Sequence, residues 1–244
     1  MRTYGQFCPI AVGAEIFAER WTPLILRELL AGSHRFNDLL RGLPRIPRAV
    51  LVQRLRSLEA YGVVERRSGP AESFGYYLSP AGQELAVVAI ALGDWARTWG
   101  HSEIGLHNLD PDFLVWDMHR GIVSDRLPAG RTVVQLNLTG ACTRSYWLIL
   151  ECPEPSLCLI DPGFEVDLMV TADTVALHRV WTGELEMASA LSAGSIALDG
   201  PPALRRAFPG WLALGYFTRP RGQMMTDRAV REGYRVQSGR GTPS

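Results

Sequence analysis

Between residues 10 and 100, apolar positions recur three and four apart and are interrupted by one short alternating stretch. Residues 10–20 form a short amphipathic run. Thr22 is placed to cap a helix that opens at Pro23, continues through Leu24, Ile25 and Leu26, and stops at Gly32. Phe36 to Leu40 predicts a short helix before a turn at Gly42–Pro44. Pro47 opens the next helix, which Gly62 closes. The run 63–67 reads as a strand, 68–75 as a loop of turn residues, and 76–80 as a returning strand. Ser79-Pro80 then starts a long helix that ends at Gly100. Helices followed by a hairpin and a further helix are the element order of a winged helix-turn-helix.

The texture then changes. Residues 101–112 read as a linker, since Gly105 and the Asp110-Pro111 step oppose a continuous helix. The apolar run 113–123 begins a helix of a second domain. Strands follow over 132–138, 145–152, 156–161 and 165–170. A strand-to-helix step comes next at 171–183, then a short helix at 184–194, a strand at 195–200 and a closing helix at 201–214. Strands first and helices later predict an α+β domain. The expected organisation is a DNA-binding and dimerisation domain over 1–100, a linker over 101–112, a second domain over 113–235, and a disordered tail over 236–244.

Charge sharpens this division. The 25 basic residues, all arginine, match the 25 acidic ones, so the formal net charge is zero. The distribution is uneven: the window 35–67 holds eight arginines against Asp38, Glu59 and Glu65. A local basic patch is the footprint expected of a polyanion-binding surface.

On the helix from Pro47, Leu51, Leu55 and Leu58 share one face and belong to the core. Ala49, Gln53 and Arg56 project from the opposite side, with Arg48 near the N-terminus. Arginine reads guanine and glutamine reads adenine through bidentate hydrogen bonds in a major groove. A helix N-terminus also favours phosphate. Arg66 and Arg67 stand where a wing would touch the DNA backbone, and Arg35 and Arg45 flank the turn before the helix. In isolation these arginines would make an ordinary solvated face; the surrounding topology favours double-stranded DNA. Arg54 points to the core edge and is expected to pair with Glu59 or a neighbouring helix. Trp21, Phe36, Leu43 and Ile46 are expected in the core.

From Cys8-Pro9 to Leu85 the chain carries Arg20-Trp21-Thr22 with Leu24-Ile25-Leu26, Arg35-Phe36 with Leu39, and Leu51 with Arg54-Leu55 and Leu58-Glu59. Gly62-Val63-Val64 with Arg66 follows, then Tyr76-Tyr77-Leu78-Ser79 and Gly82. On these residues the segment resembles the HxlR family of winged-helix regulators. Pro47, Ala49 and Gly75 depart from the Ser, Lys and Glu usual in that family. The resemblance implies a homodimer on a palindromic operator. The chain adds its own reason: Leu85, Val87, Val88, Ile90, Ala91, Leu92, Trp95 and Trp99 make the 80–100 helix apolar over much of its circumference, more than a small domain can bury. A two-fold dimer reads half-sites about 34–36 Å apart, or a multiple of that.

Cys8 has two readings. A thiol at a helix N-terminus can ionise more readily and react, and the resemblance makes Cys8 a candidate redox or electrophile sensor. As packing alone, it is a small apolar residue at a dimer interface. The other cysteines, Cys142, Cys152 and Cys158, show no paired metal or disulfide spacing. Cys152 and Cys158 flank a proline-containing turn and read as two half-buried strand residues, with a redox pair as the alternative.

The stretch 131–214 resembles the sterol carrier protein type of lipid-binding domain. This rests on Val133–Leu138, Trp147–Leu150, Glu165–Val170, Trp181-Thr182-Gly183-Glu184-Leu185, Ala188, Ala190, and Gly194 with Ile196–Gly200. Such a domain lays helices over a sheet around an apolar cavity. That implies a small apolar or lipid-like effector, with Trp147, Met169, Leu177, Trp181, Met187, Trp211 and Phe217 as lining residues, together with Leu159 and Leu191. Each of these also fits the part of a plain core residue.

No nucleophile-elbow, phosphate-loop, zinc-protease or dinucleotide motif is present, so no enzymatic activity, cofactor or metal is expected. His101, Glu103 and His107 lie in the linker without supporting residues. Asp117 and His119, two apart, face away from each other on a helix. No apolar run approaches membrane-spanning length and the N-terminus lacks a secretory signal, so a cytoplasmic protein with reduced thiols is expected. The competing reading is a lipid or acyl carrier whose winged helix mediates protein contacts; it gives no reason for a basic patch over 35–67.

Overall fold

Leu51, Leu55 and Leu58 meet Ile25, Leu26, Leu39, Leu78 and Ala86 in the first of two hydrophobic cores. The computed structural model describes residues 3–68, 74–99, 109–152 and 155–213, apart from the side chain of Arg97. The first core is built by α1 (Pro9–Phe17), α2 (Thr22–Leu30), α3 (Phe36–Gly42), α4 (Arg48–Ala60), the antiparallel hairpin β1 (Val64–Ser68) and β2 (Phe74–Leu78), and α5 (Pro80–Trp99). Leu43 and Ile46 are buried, while Trp21 and Phe36 pack at the margin.

One cap differs from expectation. Trp21, with φ 80°, takes the N-cap place of α2, and Thr22 lies inside the helix, buried. The Thr22 amide already donates to the Glu19 carbonyl at 3.0 Å. Pro23 has no N–H to satisfy, so little is left for a threonine cap to do.

The second core lies between a five-stranded sheet and four helices. The helices are α6 (Pro111–Arg120), α7 (Thr174–Trp181), α8 (Met187–Ser192) and α9 (Pro202–Trp211). The sheet order is β5-β4-β3-β6-β7, from β3 (Thr132–Thr139), β4 (Arg144–Leu150), β5 (Ser156–Cys158), β6 (Leu168–Asp173) and β7 (Ile196–Asp199). Among the described residues, only β3–β6 is a parallel pair. Strand alternation sends Leu136, Leu138, Tyr146, Leu148 and Val170 into the core. It sends Gln135, Asn137, Trp147 and Met169 to the opposite face.

The stretch read as a linker ends earlier than expected. Asp110 caps α6 by accepting from the amides of Asp112 and Phe113, and Pro111 starts the helix. The Asp-Pro step is a start signal here, because proline suits the first helical turn. Residues 101–108 and the tail lie outside the described residues.

Several contacts fix α6 to its own unit. Asp112 accepts from the Tyr146 hydroxyl at 2.7 Å and from Arg144 at 2.8 Å. Asp117 accepts from the Trp181 indole at 2.7 Å. The His119 ring meets the Pro155 carbonyl through Nε2 at 2.9 Å. Burial first, and the Asp112 carboxylate second, push the Tyr146 hydroxyl far above its ordinary pKa, so it remains a donor.

Candidate nucleic-acid interface

The α4 helix follows the amphipathic plan. Leu51, Leu55 and Leu58 are buried, whereas Arg48, Ala49, Gln53 and Arg56 are exposed on the other side. Pro47 is the N-cap, without a side-chain hydrogen bond, so the start of α4 keeps amides available to an acceptor. Arg48 packs over the Phe36 ring at 5.5 Å and donates to Asn37 at 3.3 Å. That tethers the guanidinium beside the N-terminus of α3, where Arg35, the α3 N-cap residue, is also exposed. Arg54 pairs with Glu19, in the turn between α1 and α2, rather than with Glu59 or a residue of a neighbouring helix, and so braces the unit from the inner side.

The hairpin carries its arginines on aromatic rings. Arg66 lies 5.1 Å from the Phe74 ring and 5.8 Å from the Tyr76 ring. Arg67 lies 5.2 Å from Tyr77 and bonds Glu65 at 3.0 Å. Both stay exposed. Gly75 faces Arg67 across the hairpin, and a Cβ there would press on the Tyr77 ring at 2.8 Å. Glycine at this place therefore makes room for the tyrosine. Residues 69–73, the tip between the strands, lie outside the described residues.

Two residues that position this surface carried no sequence signal. His34 stacks on Tyr77 with ring centroids 4.2 Å apart, its Nδ1 is 3.1 Å from the Tyr76 carbonyl, and its own carbonyl accepts from the Tyr76 amide at 2.8 Å. This locks the hairpin to the α2–α3 corner. Burial holds the His34 pKa below its ordinary value, with Arg67 adding to the effect, so the ring is neutral and Nδ1–H donates. Glu28 is the other: it is completely buried on α2, and its carboxylate takes Arg27 at 2.8 Å and Ser33 at 3.2 Å. Arg27 in turn donates to the Gly42 carbonyl at 3.0 Å, at the end of α3. Only the long-range packing explains why a carboxylate sits there.

Away from this face, α5 leaves Val88, Leu92, Trp95 and Trp99 exposed on one helical stripe, with Val87 beside it. Phe7 and Ile10, at the start of α1, are also exposed. Cys8 is the α1 N-cap residue and is partly exposed. The amides of Ala11 and Ile10 hold its thiol below the usual pKa.

The effector residues expected in the second unit are not brought to one place. Leu177, Trp181 and Trp211 are buried in the core, and Met187 packs against it. Trp147 and Met169 lie on the opposite sheet face, both opposite Gln135 on β3. The alternation of the strands separates the two sets, so they cannot line a single cavity. Leu159 is exposed, Leu191 packs on the core, and Phe217 lies outside the described residues. Cys152 is exposed just past β4 rather than half-buried within it, while Cys158 is half-buried at the end of β5. No cluster of metal-ligating side chains occurs among the described residues, and no helix there is long and apolar enough to cross a membrane.

The family model described as HxlR-like helix-turn-helix matches residues 16–104. An HTH-type transcriptional regulator of Bacillus subtilis (strain 168), YvaP, is 34% identical over 112 residues, covering 45% of this chain and 95% of that protein. The chain belongs to the HxlR-like helix-turn-helix family. A regulator of Synechocystis sp., sll1512, is 34% identical over 101 residues, covering 41% of this chain and 75% of that one. YtfH of Escherichia coli (strain K12) is 33% identical over 94 residues, covering 38% and 75%. Among solved structures, the reduced form of the B. subtilis regulator YodB overlays with 29% identity and a TM-score of 0.34, covering 39% of this chain and 97% of that one. The HxlR match ends at residue 104, before the second core begins at Leu114.

Proposed function

We propose that this HxlR-family chain is a homodimeric, cytoplasmic regulator that reads a palindromic operator with α4 in the major groove. One observation carries the reading: α4 buries its leucine stripe and presents Ala49, Gln53 and Arg56 outward, beside a hairpin whose Arg66 and Arg67 stay exposed. Gln53 and Arg56 are the base-reading residues. Arg35, Arg45, Arg48, Arg66 and Arg67 hold phosphates. The exposed α5 stripe, with the start of α1, forms the dimer contact that spaces the two α4 helices. The test is binding of the purified protein to its own promoter DNA at several salt concentrations, beside an Arg48→Ala/Arg56→Ala variant. Tight, sequence-selective binding that weakens steeply with salt and is lost in the variant is expected. Weak binding indifferent to sequence in a genome-wide selection, with lipid extracted from the purified protein, would replace this reading with the carrier.

The second unit is proposed as the effector-binding part, of the sterol carrier type, taking a small apolar or lipid-like molecule. The partly exposed Trp147 and the exposed Met169 on the open sheet face, with Gln135 between them, are the residues best placed to meet such a ligand. Leu177, Trp181 and Trp211 would be reached only if the core opened.

A second reading, a thiol switch at Cys8, is favoured by the two amides that lower its pKa and by its partial exposure. It predicts that Cys8→Ser keeps basal DNA binding and loses the response to an oxidant. An unchanged response in that variant removes it.

A further inference from the structure

The two hydrophobic cores share no residue, and α6, whose apolar side belongs to the second, also packs against α3 of the first unit. Its C-terminal residue, Arg120, reaches out of the second unit and donates from Nη1 to Oε2 of the buried Glu28 at 2.8 Å. Its Nη2 holds Asp117, whose other oxygen accepts from the Trp181 indole. A continuous polar chain thus runs from α7 through α6 to α2, and through Arg27 to the end of α3. Along the same helix, the Phe113 ring lies 4.6 Å from the Arg27 guanidinium, and the Trp116 ring lies 5.4 Å from that of Arg41. At the N-terminal end, Asp110 stands 3.7 Å from Arg45, in the turn that leads into α4. Three arginines of the helix-turn-helix are therefore engaged by α6.

The fit is incomplete. Trp116 Nε1, His119 Nδ1 and Arg120 Nε are buried without a hydrogen-bond partner, and they share one helical face at spacings of three and four. Unsatisfied buried polar atoms oppose the docked arrangement. A polar junction between separate cores is one that can open.

We propose that α6 is an autoinhibitory clasp. With Arg120 seated on Glu28, Asp110 competes with DNA phosphate for Arg45. Release of α6 from the helix-turn-helix raises DNA affinity. The proposal rests on the DNA-binding reading above. It supplies that reading with a route by which the second unit controls it, since a change at Trp181 reaches Glu28 through Asp117 and Arg120.

The test uses the full chain and its promoter DNA, with affinity read at one fixed salt concentration. Asp110→Asn removes the charge but keeps a good cap for α6, so it preserves the fold. Arg120→Met removes the hold on Glu28. Asp125→Asn, on the turn packed against α9, makes the same charge change as Asp110→Asn and serves as control. The expected result is tighter binding for Asp110→Asn than for the control. Arg120→Met is expected to bind tighter still, by about 5- to 150-fold over the parent, the usual range of coupling between sites. If Arg120→Met fails to fold, the comparison of Asp110→Asn with its control decides alone. If the parent binds DNA and neither variant exceeds the control, the clasp is wrong and the DNA reading stands. If the parent binds no DNA even at low salt, the DNA reading is wrong and the clasp falls with it.

Discussion

His34 stacks on Tyr77 at 4.2 Å while its ring and its own carbonyl bond the backbone carbonyl and amide of Tyr76, and so ties the hairpin to the helices through a largely buried ring. Its pKa is held below the ordinary value by burial, and His119 and His178 are lowered for the same first cause. The unfolded chain therefore takes up protons near pH 6.5 that the folded chain resists until a lower pH. Stability rises with pH wherever the unfolded state binds more protons. It is accordingly expected to hold above about pH 6.5 and to fall below it until the folded histidines also protonate. Thermal unfolding followed from pH 7.5 to 5 should show this loss, and His34→Gln should flatten part of it. The same slope in both proteins would mean that His34 is not buried in this way.

Gly42 ends α3 against the Glu28 carboxylate, and a Cβ there would overlap Glu28 Oε2. Gly42→Ala must displace a buried charged group with few places to go. A loss of about 1–3 kcal/mol, the usual range for overpacking, is expected in denaturant unfolding. A neutral result would show that the Glu28 cluster can move.

Arg66 and Arg67 rest on rings outside the α4 face, which suits phosphate contact more than base reading. Replacing either by alanine should weaken binding to operator and unrelated DNA alike. Removal of one phosphate-binding arginine should reduce the salt slope by about 1. Weakening confined to the operator would instead place the arginine on a base.

Leu92 and Trp95 are exposed on α5, so charging them should not disturb the core. Leu92→Asp/Trp95→Lys is expected to yield a folded monomer in sedimentation, with operator binding abolished because two half-sites are no longer gripped together. A variant that remains dimeric would move the dimer contact elsewhere.

Much of this architecture was readable from residue order. The leucine stripe of α4, the Ser79-Pro80 start of α5, the alternation of β3 and β4 and a closing helix within 201–214 all appear where local pattern placed them. Periodicity and capping act over a few neighbouring residues, so they survive as sequence signals. The outward face of α4 was readable for the same reason: once one side of a helix is apolar, the other is known.

What only the tertiary structure decided involves partners far apart in the chain. Glu28 looks like any helical glutamate until Arg120, ninety-two positions later, is brought against it. Trp147 and Trp181 look equally suited to an apolar pocket until strand alternation and helix packing put them on opposite sides of the sheet. Asp110 reads as part of a linker until α6 docks and sets it beside Arg45. Burial and charge pairing belong to the assembled fold, because they depend on what long-range packing delivers to each side chain rather than on its neighbours in sequence.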